Sequence, residues 1–131
     1  MSNKYQVRTV LVIEDEANIR NFTSRVLYLE GYRVLQAENG DEGFRLVRES
    51  QVDLIVLDLK LPGVDGRLVL EQLKNDPELS SIPIVVFTAS AVASQREKAL
   101  KMGATDYLIK PVSTITLRET VARALCLKRR R

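Results

Sequence analysis

Asp58 stands at the tip of the apolar run Leu54-Ile55-Val56-Leu57, and the chain breaks soon afterwards at Pro62-Gly63. A carboxylate there is costly unless it has a partner. Three other apolar runs end in reactive residues. Val10-Leu11-Val12-Ile13 leads into Glu14-Asp15-Glu16, Ile84-Val85-Val86-Phe87 into Thr88, and the short stretch from Asp106 to Ile109 into Lys110. Crowded carboxylates repel one another unless a cation joins them. The chain has no histidine and a single cysteine, Cys126. Its ligand set is therefore oxygen, which suits a hard cation, Mg²⁺ first among them. Lys110 offers an ammonium and Thr88 a hydroxyl, both able to hold phosphoryl oxygens. A carboxylate nucleophile beside a metal, a lysine and a hydroxyl is suited to phosphoryl transfer onto aspartate. Each residue also has a plainer use: Glu14 and Asp15 as helix N-caps, Thr88 as a strand residue, Lys110 as a solvated charge before a turn. It is their shared position at four run ends that favours the chemistry.

The elements that must position these groups alternate along the chain. Continuous apolar runs of strand length mark strands covered on both faces. Between them, Ile19, Phe22, Val26 and Leu27 form a helical stripe closed by Gly31. Tyr32 to Ala37 carries Arg33 and Gln36 and reads as an edge strand. Asn39-Gly40 marks a turn, with Asp41 as N-cap of a helix near 41–50. A third helix carries Leu68, Leu70 and Leu73, a fourth spans about 93–102 and ends at Gly103, and a fifth carries Leu117, Val121, Ala124 and Leu125. The pattern is (βα)5, an α/β protein with a doubly wound parallel five-stranded sheet. Such sheets bind ligands beyond the carboxyl ends of their strands, where the strand order reverses. In the order 2-1-3-4-5 that point lies between strands one and three, beside Asp15 and Asp58.

Composition narrows the function classes. The 131 residues amount to one domain, 45% hydrophobic and 28% charged, with no apolar run long enough to cross a membrane and no signal-like amino terminus. The lone cysteine fits a reducing compartment, hence a cytoplasmic setting. Lys128, Arg129, Arg130 and Arg131 supply more than the whole net charge of +3. The basic character thus belongs to a C-terminal tail at 128–131, read as a solvated end beyond a domain at 1–127. Direct nucleic-acid binding and membrane binding by the domain are not expected.

At this point the chain resembles the receiver domain of two-component response regulators, of the chemotaxis-receiver-like single-domain type. The matching pieces are Glu14-Asp15, the Asp58 strand running into Leu61-Pro62-Gly63-Val64-Asp65-Gly66, Thr88-Ala89, and Asp106-Tyr107-Leu108-Ile109-Lys110-Pro111. They cover about residues 8 to 126. The resemblance implies a flavodoxin-like fold with strand order 2-1-3-4-5. It also implies a phosphorylation-dependent signalling switch in a phosphorelay. Asp58 would accept a phosphoryl group from the phosphohistidine of a sensor histidine kinase or histidine phosphotransfer protein. Glu14, Asp15, Asp58 and the backbone carbonyl of Lys60 would hold Mg²⁺, Lys110 would pair with the acylphosphate, and the backbone N–H groups of Leu59 and Ala89 would donate to it. Thr88 and Tyr107 would form the switch, which would pass the signal to a downstream protein through the face built from helix four, strand five and helix five. That face would also serve a weak dimer, the chain otherwise being a monomer. Such a protein is a phosphoacceptor that assists its own phosphorylation and dephosphorylation, not an enzyme with a separate substrate. Lys60 and Ser90, each two residues past a site residue, are expected to tune the acylphosphate lifetime.

Three rival readings have specific discriminators. A haloacid-dehalogenase-type phosphatase also uses an aspartate nucleophile but needs an acid two residues later, where this chain has Lys60. A phosphate-independent receiver-like binding module would be free to lose any of Glu14, Asp15, Asp58, Thr88 and Lys110, yet all are present. The third is a receiver fragment of a larger response regulator or hybrid histidine kinase; standing alone is modestly preferred.

Overall fold

The computed structural model describes residues 6–129. Ten elements alternate: β1 (Thr9–Ile13), α1 (Ala17–Leu29), β2 (Arg33–Ala37), α2 (Gly40–Glu49), β3 (Leu54–Leu57), α3 (Gly66–Asn75), β4 (Ile84–Thr88), α4 (Ala93–Lys101), β5 (Asp106–Ile109) and α5 (Thr114–Arg129). The strands form one parallel sheet in the order β2-β1-β3-β4-β5, as expected. Every residue of β1, β3 and β4 is buried, whereas β2 at one edge is mostly not. That is why the three central strands read as unbroken apolar runs and Arg33 and Gln36 are tolerated in β2.

Successive strand residues feed opposite faces. Leu11, Ile13, Ile55, Leu57, Ile84 and Val86 pack with Val47 of α2, Val69, Leu70 and Leu73 of α3 and Ala99 of α4. Val10, Val12, Leu54, Val56, Val85 and Phe87 pack with Leu27 of α1 and with Leu117, Val121, Ala124 and Leu125 of α5. Each fully buried leucine contributes about 1.5–3 kcal/mol by leaving water, so both layers hold the sheet between them.

Several local details differ from expectation. The N-cap of α2 is Asn39, whose side chain accepts from the Glu42 N–H at 2.8 Å, and not Asp41, which lies inside the first turn. In α1 the buried face is Thr23, Ser24 and Leu27, while Phe22 is exposed and Ile19 and Val26 only partly covered. Leu68 of α3 also faces solvent. The N-cap of α1 is Glu16, without a side-chain cap, so Glu14 and Asp15 both precede the helix. Helix α5 runs to Arg129, two residues past the expected boundary. Of the basic tail, Arg130 and Arg131 lie outside the described residues.

Two glycines shape the loop after β3. Gly63 adopts φ 79°, and the Val64 N–H returns to the Pro62 carbonyl at 2.9 Å, a three-residue turn that an L side chain would strain. Gly66 opens α3 directly against the backbone of Asp58 and Leu59. The start of the helix is thereby pressed onto the loop that carries the candidate nucleophile.

Candidate functional site

Three site residues sit one position beyond a strand, each held by a continuation of the sheet's own ladder. The Glu14 N–H donates to Ala37 O at 3.0 Å, the Asp58 N–H to Ile13 O at 3.1 Å and the Lys110 N–H to Thr88 O at 2.8 Å. The parallel register pairs Ile13 with Leu57, so the next residues, Glu14 and Asp58, emerge together. Carboxylate oxygens of Glu14, Asp15 and Asp58 all lie within 4.8 Å of one another. Glu14 and Asp58 are buried and Asp15 is exposed. The sequence singled out this trio, and the fold brings it together.

Lys110 answers the charge problem. Its Nζ lies 2.7 Å from Glu14 Oε1 and 3.0 Å from Asp58 Oδ2, and 5.6 Å from the centre of the Phe87 ring. Burial pushes the Glu14 carboxyl up to about 7; the hydrogen bond from Lys110 opposes this and the Asp58 charge reinforces it. Burial alone would lower the Lys110 ammonium, but the hydrogen bonds to Glu14 and Asp58 outweigh it and hold the group above its ordinary value. Lys110 therefore stays charged, and Glu14 holds its proton more readily than a free carboxyl.

The remaining Asp58 oxygen, Oδ1, accepts from the Lys60 backbone N–H at 3.1 Å. Lys60 itself is exposed, Leu59 buried and Ala89 exposed at the rim. Thr88 is buried at the end of β4. Tyr107 is buried too, its hydroxyl donating to the Ser90 carbonyl at 3.0 Å. The two residues expected to form the switch thus lie on neighbouring strands, with the tyrosine pointing inward.

Sequence reasoning missed two contacts. Ser90 Oγ donates to Gln95 Oε1 at 2.6 Å, tying the loop after β4 to the first turn of α4. Arg20 donates from Nη1 to Glu14 O at 2.9 Å and to Asp15 O at 3.3 Å. A basic residue one turn into the helix that follows an acidic pair was the available signal for the second.

Two hollows open here. One of about 430 Å³ is lined by Asp15, Glu16, Ile19, Asp58, Lys60, Ala89, Lys110 and Pro111. The other, of about 580 Å³, lies between the loops after β3 and β4 and is lined by Lys60, Arg67, Thr88, Ala89, Ser90 and Gln95 among others. The donor set fits Mg²⁺: carboxylate oxygens with no nitrogen or sulfur ligand, and room for the waters that ion retains. Room for a phosphoryl group beside Asp58 is available in the first hollow.

The response regulator receiver domain model matches residues 10–122. The chain belongs to that family. Similar proteins include the phosphate regulon transcriptional regulatory protein PhoB of Pseudomonas aeruginosa, 37% identical over 94% of this chain and 52% of PhoB. Protein PilH of the same organism is 33% identical over 86% of this chain and 93% of PilH. A CheY-like receiver domain protein from Methanospirillum hungatei has the same fold, with a TM-score of 0.88 and 26% identity over 95% of this chain and 98% of that one. The receiver spans about half the length of PhoB and nearly all of PilH. No helix among its described residues is long and apolar enough to cross a membrane.

Proposed function

We propose that this receiver is a phosphorylation switch whose acceptor is Asp58. The supporting observation is the arrangement at the ends of β1, β3 and β5, where Asp58 is buried, oriented through both oxygens, and flanked by two further carboxylates and one lysine. A carboxylate oxygen of Asp58 attacks the phosphorus of a phosphohistidine on a partner kinase or phosphotransfer protein. The P–N bond breaks as the O–P bond forms, and the imidazole leaves with the N–P electron pair. Lys110 stays charged and moves from the carboxylates to the phosphoryl oxygens, while Thr88 and the N–H groups of Leu59 and Ala89 donate to them. Glu14, Asp15, Asp58 and the carbonyl of Lys60 are the groups that would hold Mg²⁺, which supplies charge neutralisation on the phosphoryl oxygens.

The redistribution of charge biases a two-state element. Once Thr88 turns toward the phosphoryl group, the inward Tyr107 and the loop bearing Ser90 favour one position of α4. The face built from α4, β5 and α5 exposes Val92, Leu100, Ile109 and Ile115, apolar groups suited to docking a downstream protein or a second copy. A cytoplasmic setting accords with the single cysteine and the kinase partner.

The test is incubation with Mg²⁺ and acetyl phosphate, followed by intact-protein mass spectrometry. One phosphoryl adduct is expected on the native chain and none on Asp58→Asn. An equal adduct on Asp58→Asn, or none on the native chain, would refute the assignment.

A further inference from the structure

The β1–α1 loop carries two of the three carboxylates, yet it lacks the usual means of being held. The N-cap of α1, Glu16, makes no side-chain cap bond, and the first turn of the helix holds no acidic residue. What ties the loop down is Arg20. Its Nη1 reaches back to the carbonyl oxygens of Glu14 and Asp15, at 2.9 and 3.3 Å, while its backbone N–H bonds the Glu16 carbonyl at 2.8 Å. A guanidinium is a rigid planar donor, and bridging two successive carbonyls sets the direction in which both residues leave the backbone. Glu14 Oε2 accepts from the Glu16 N–H at 3.2 Å, so fixing this backbone also orients the buried carboxylate.

The choice of acceptor is informative. Lys110 sits on carboxylate oxygens of Glu14 and Asp58, so it occupies positions a cation would need. Arg20 stabilises the same acidic corner through carbonyls and leaves the Asp15 carboxylate oxygens free of it. We infer that Arg20 is a positioning residue for divalent-cation binding, holding the Glu14 and Asp15 backbone so that their carboxylates converge with Asp58 on one ion. This rests on the Mg²⁺ reading above. Supporting groups one layer behind metal ligands typically govern on the order of 10- to 100-fold in metal affinity.

The alternatives differ in sign. If Arg20 acted only as a nearby positive charge, its removal would tighten Mg²⁺ binding, because like charges repel. If it only stabilised the fold, the affinity of the folded protein would not change. Calorimetric titration of the full chain with MgCl₂, without any phosphodonor, separates these outcomes. Arg20→Ala is expected to weaken Mg²⁺ binding by about 10-fold or more. Arg20→Lys, which keeps the charge and can donate to one carbonyl, is expected to recover part of the loss. Arg45→Ala on α2, which removes an exposed ion-pairing arginine away from the site, is expected to bind as the native chain does. Unchanged or tighter binding by Arg20→Ala, measured where circular dichroism shows it folded, would overturn the inference while leaving the Mg²⁺ reading standing. No binding by the native chain would overturn both.

Discussion

Replacing Lys110 with methionine keeps an unbranched side chain over the Phe87 ring but deletes the ammonium between Glu14 and Asp58. Two buried carboxylates with oxygens within 4.8 Å would then face each other unpaired. At an effective dielectric constant near 20, their repulsion is at least about 3.5 kcal/mol if both are ionised. The protein can relieve it by protonating Glu14, which is already pushed up to about 7 and would rise further. Removing one partner of a buried pair commonly costs about 3–5 kcal/mol. Glu14 protonation offsets part of that, so a loss of about 2–4 kcal/mol at neutral pH is expected. For a domain of this size the loss corresponds to a fall of roughly 10 °C in Tm. In the native chain Lys110 already neutralises two of the carboxylates that a cation would join, and in the variant nothing does. Mg²⁺ should therefore stabilise Lys110→Met more than the native protein, recovering most of the deficit. Urea unfolding followed by far-ultraviolet circular dichroism, with EDTA or with saturating MgCl₂, measures both quantities. Equal metal-free stabilities, or equal stabilisation of both proteins by Mg²⁺, would refute this account of the lysine.

Further expectations concern pH, packing and lifetime. The Glu14 carboxyl moves from 4.5 unfolded to about 7 folded, so the folded state holds the extra proton between those values. Its contribution to metal-free stability is fully present below 4.5 and is lost as pH rises through about 7, in total about 3 kcal/mol. The native chain minus Glu14→Gln should show that slope in paired urea melts, and a flat difference would refute it. Gly66→Ala would drive a Cβ against Leu59 Cα and to 2.5 Å from the Asp58 carbonyl oxygen, both backbone atoms. A loss of about 1–3 kcal/mol and slower acetyl phosphate labelling of Asp58 are expected; an unchanged Tm and labelling rate would show that the loop yields freely. Lys60→Ala and Ser90→Ala should each change the acylphosphate half-life, since both residues line the 580 Å³ hollow beside Thr88. Identical decay of labelled protein in all three chains would remove them from that role.

What was legible in the sequence follows from how each feature is encoded. Asp58 and Thr88 could be found because β3 and β4 are covered by helices on both faces and leave unbroken apolar runs up to them, whereas Lys110 follows the short edge strand β5. The buried stripe of α5, Leu117, Val121, Ala124 and Leu125, was legible from its helical spacing. In α1 the helix was evident but its phase was not. Thr23 and Ser24 are buried and Phe22 is exposed, because Ser24 takes a hydrogen bond from Gln36 of β2 and the sheet, not local hydropathy, sets the rotation. The α2 cap was off by two positions, since Asn39 and Asp41 are both capable caps and only the backbone path shows which one meets the Glu42 N–H.

The sequence by itself determined the inventory: ten alternating elements, a carboxylate-rich corner without histidine, and a reactive residue closing each of four strands. Tertiary structure alone decided who meets whom. Lys110 and Asp58 stand 52 positions apart, yet they are hydrogen-bonded because a parallel register puts the ends of β1, β3, β4 and β5 along one edge. That Lys110 is shared with Glu14, and that Arg20 holds the Glu14 and Asp15 carbonyls, depends on loop paths a few ångströms long. Periodicity records which face a residue takes; directional hydrogen bonds between distant segments form only after the sheet has set their separation.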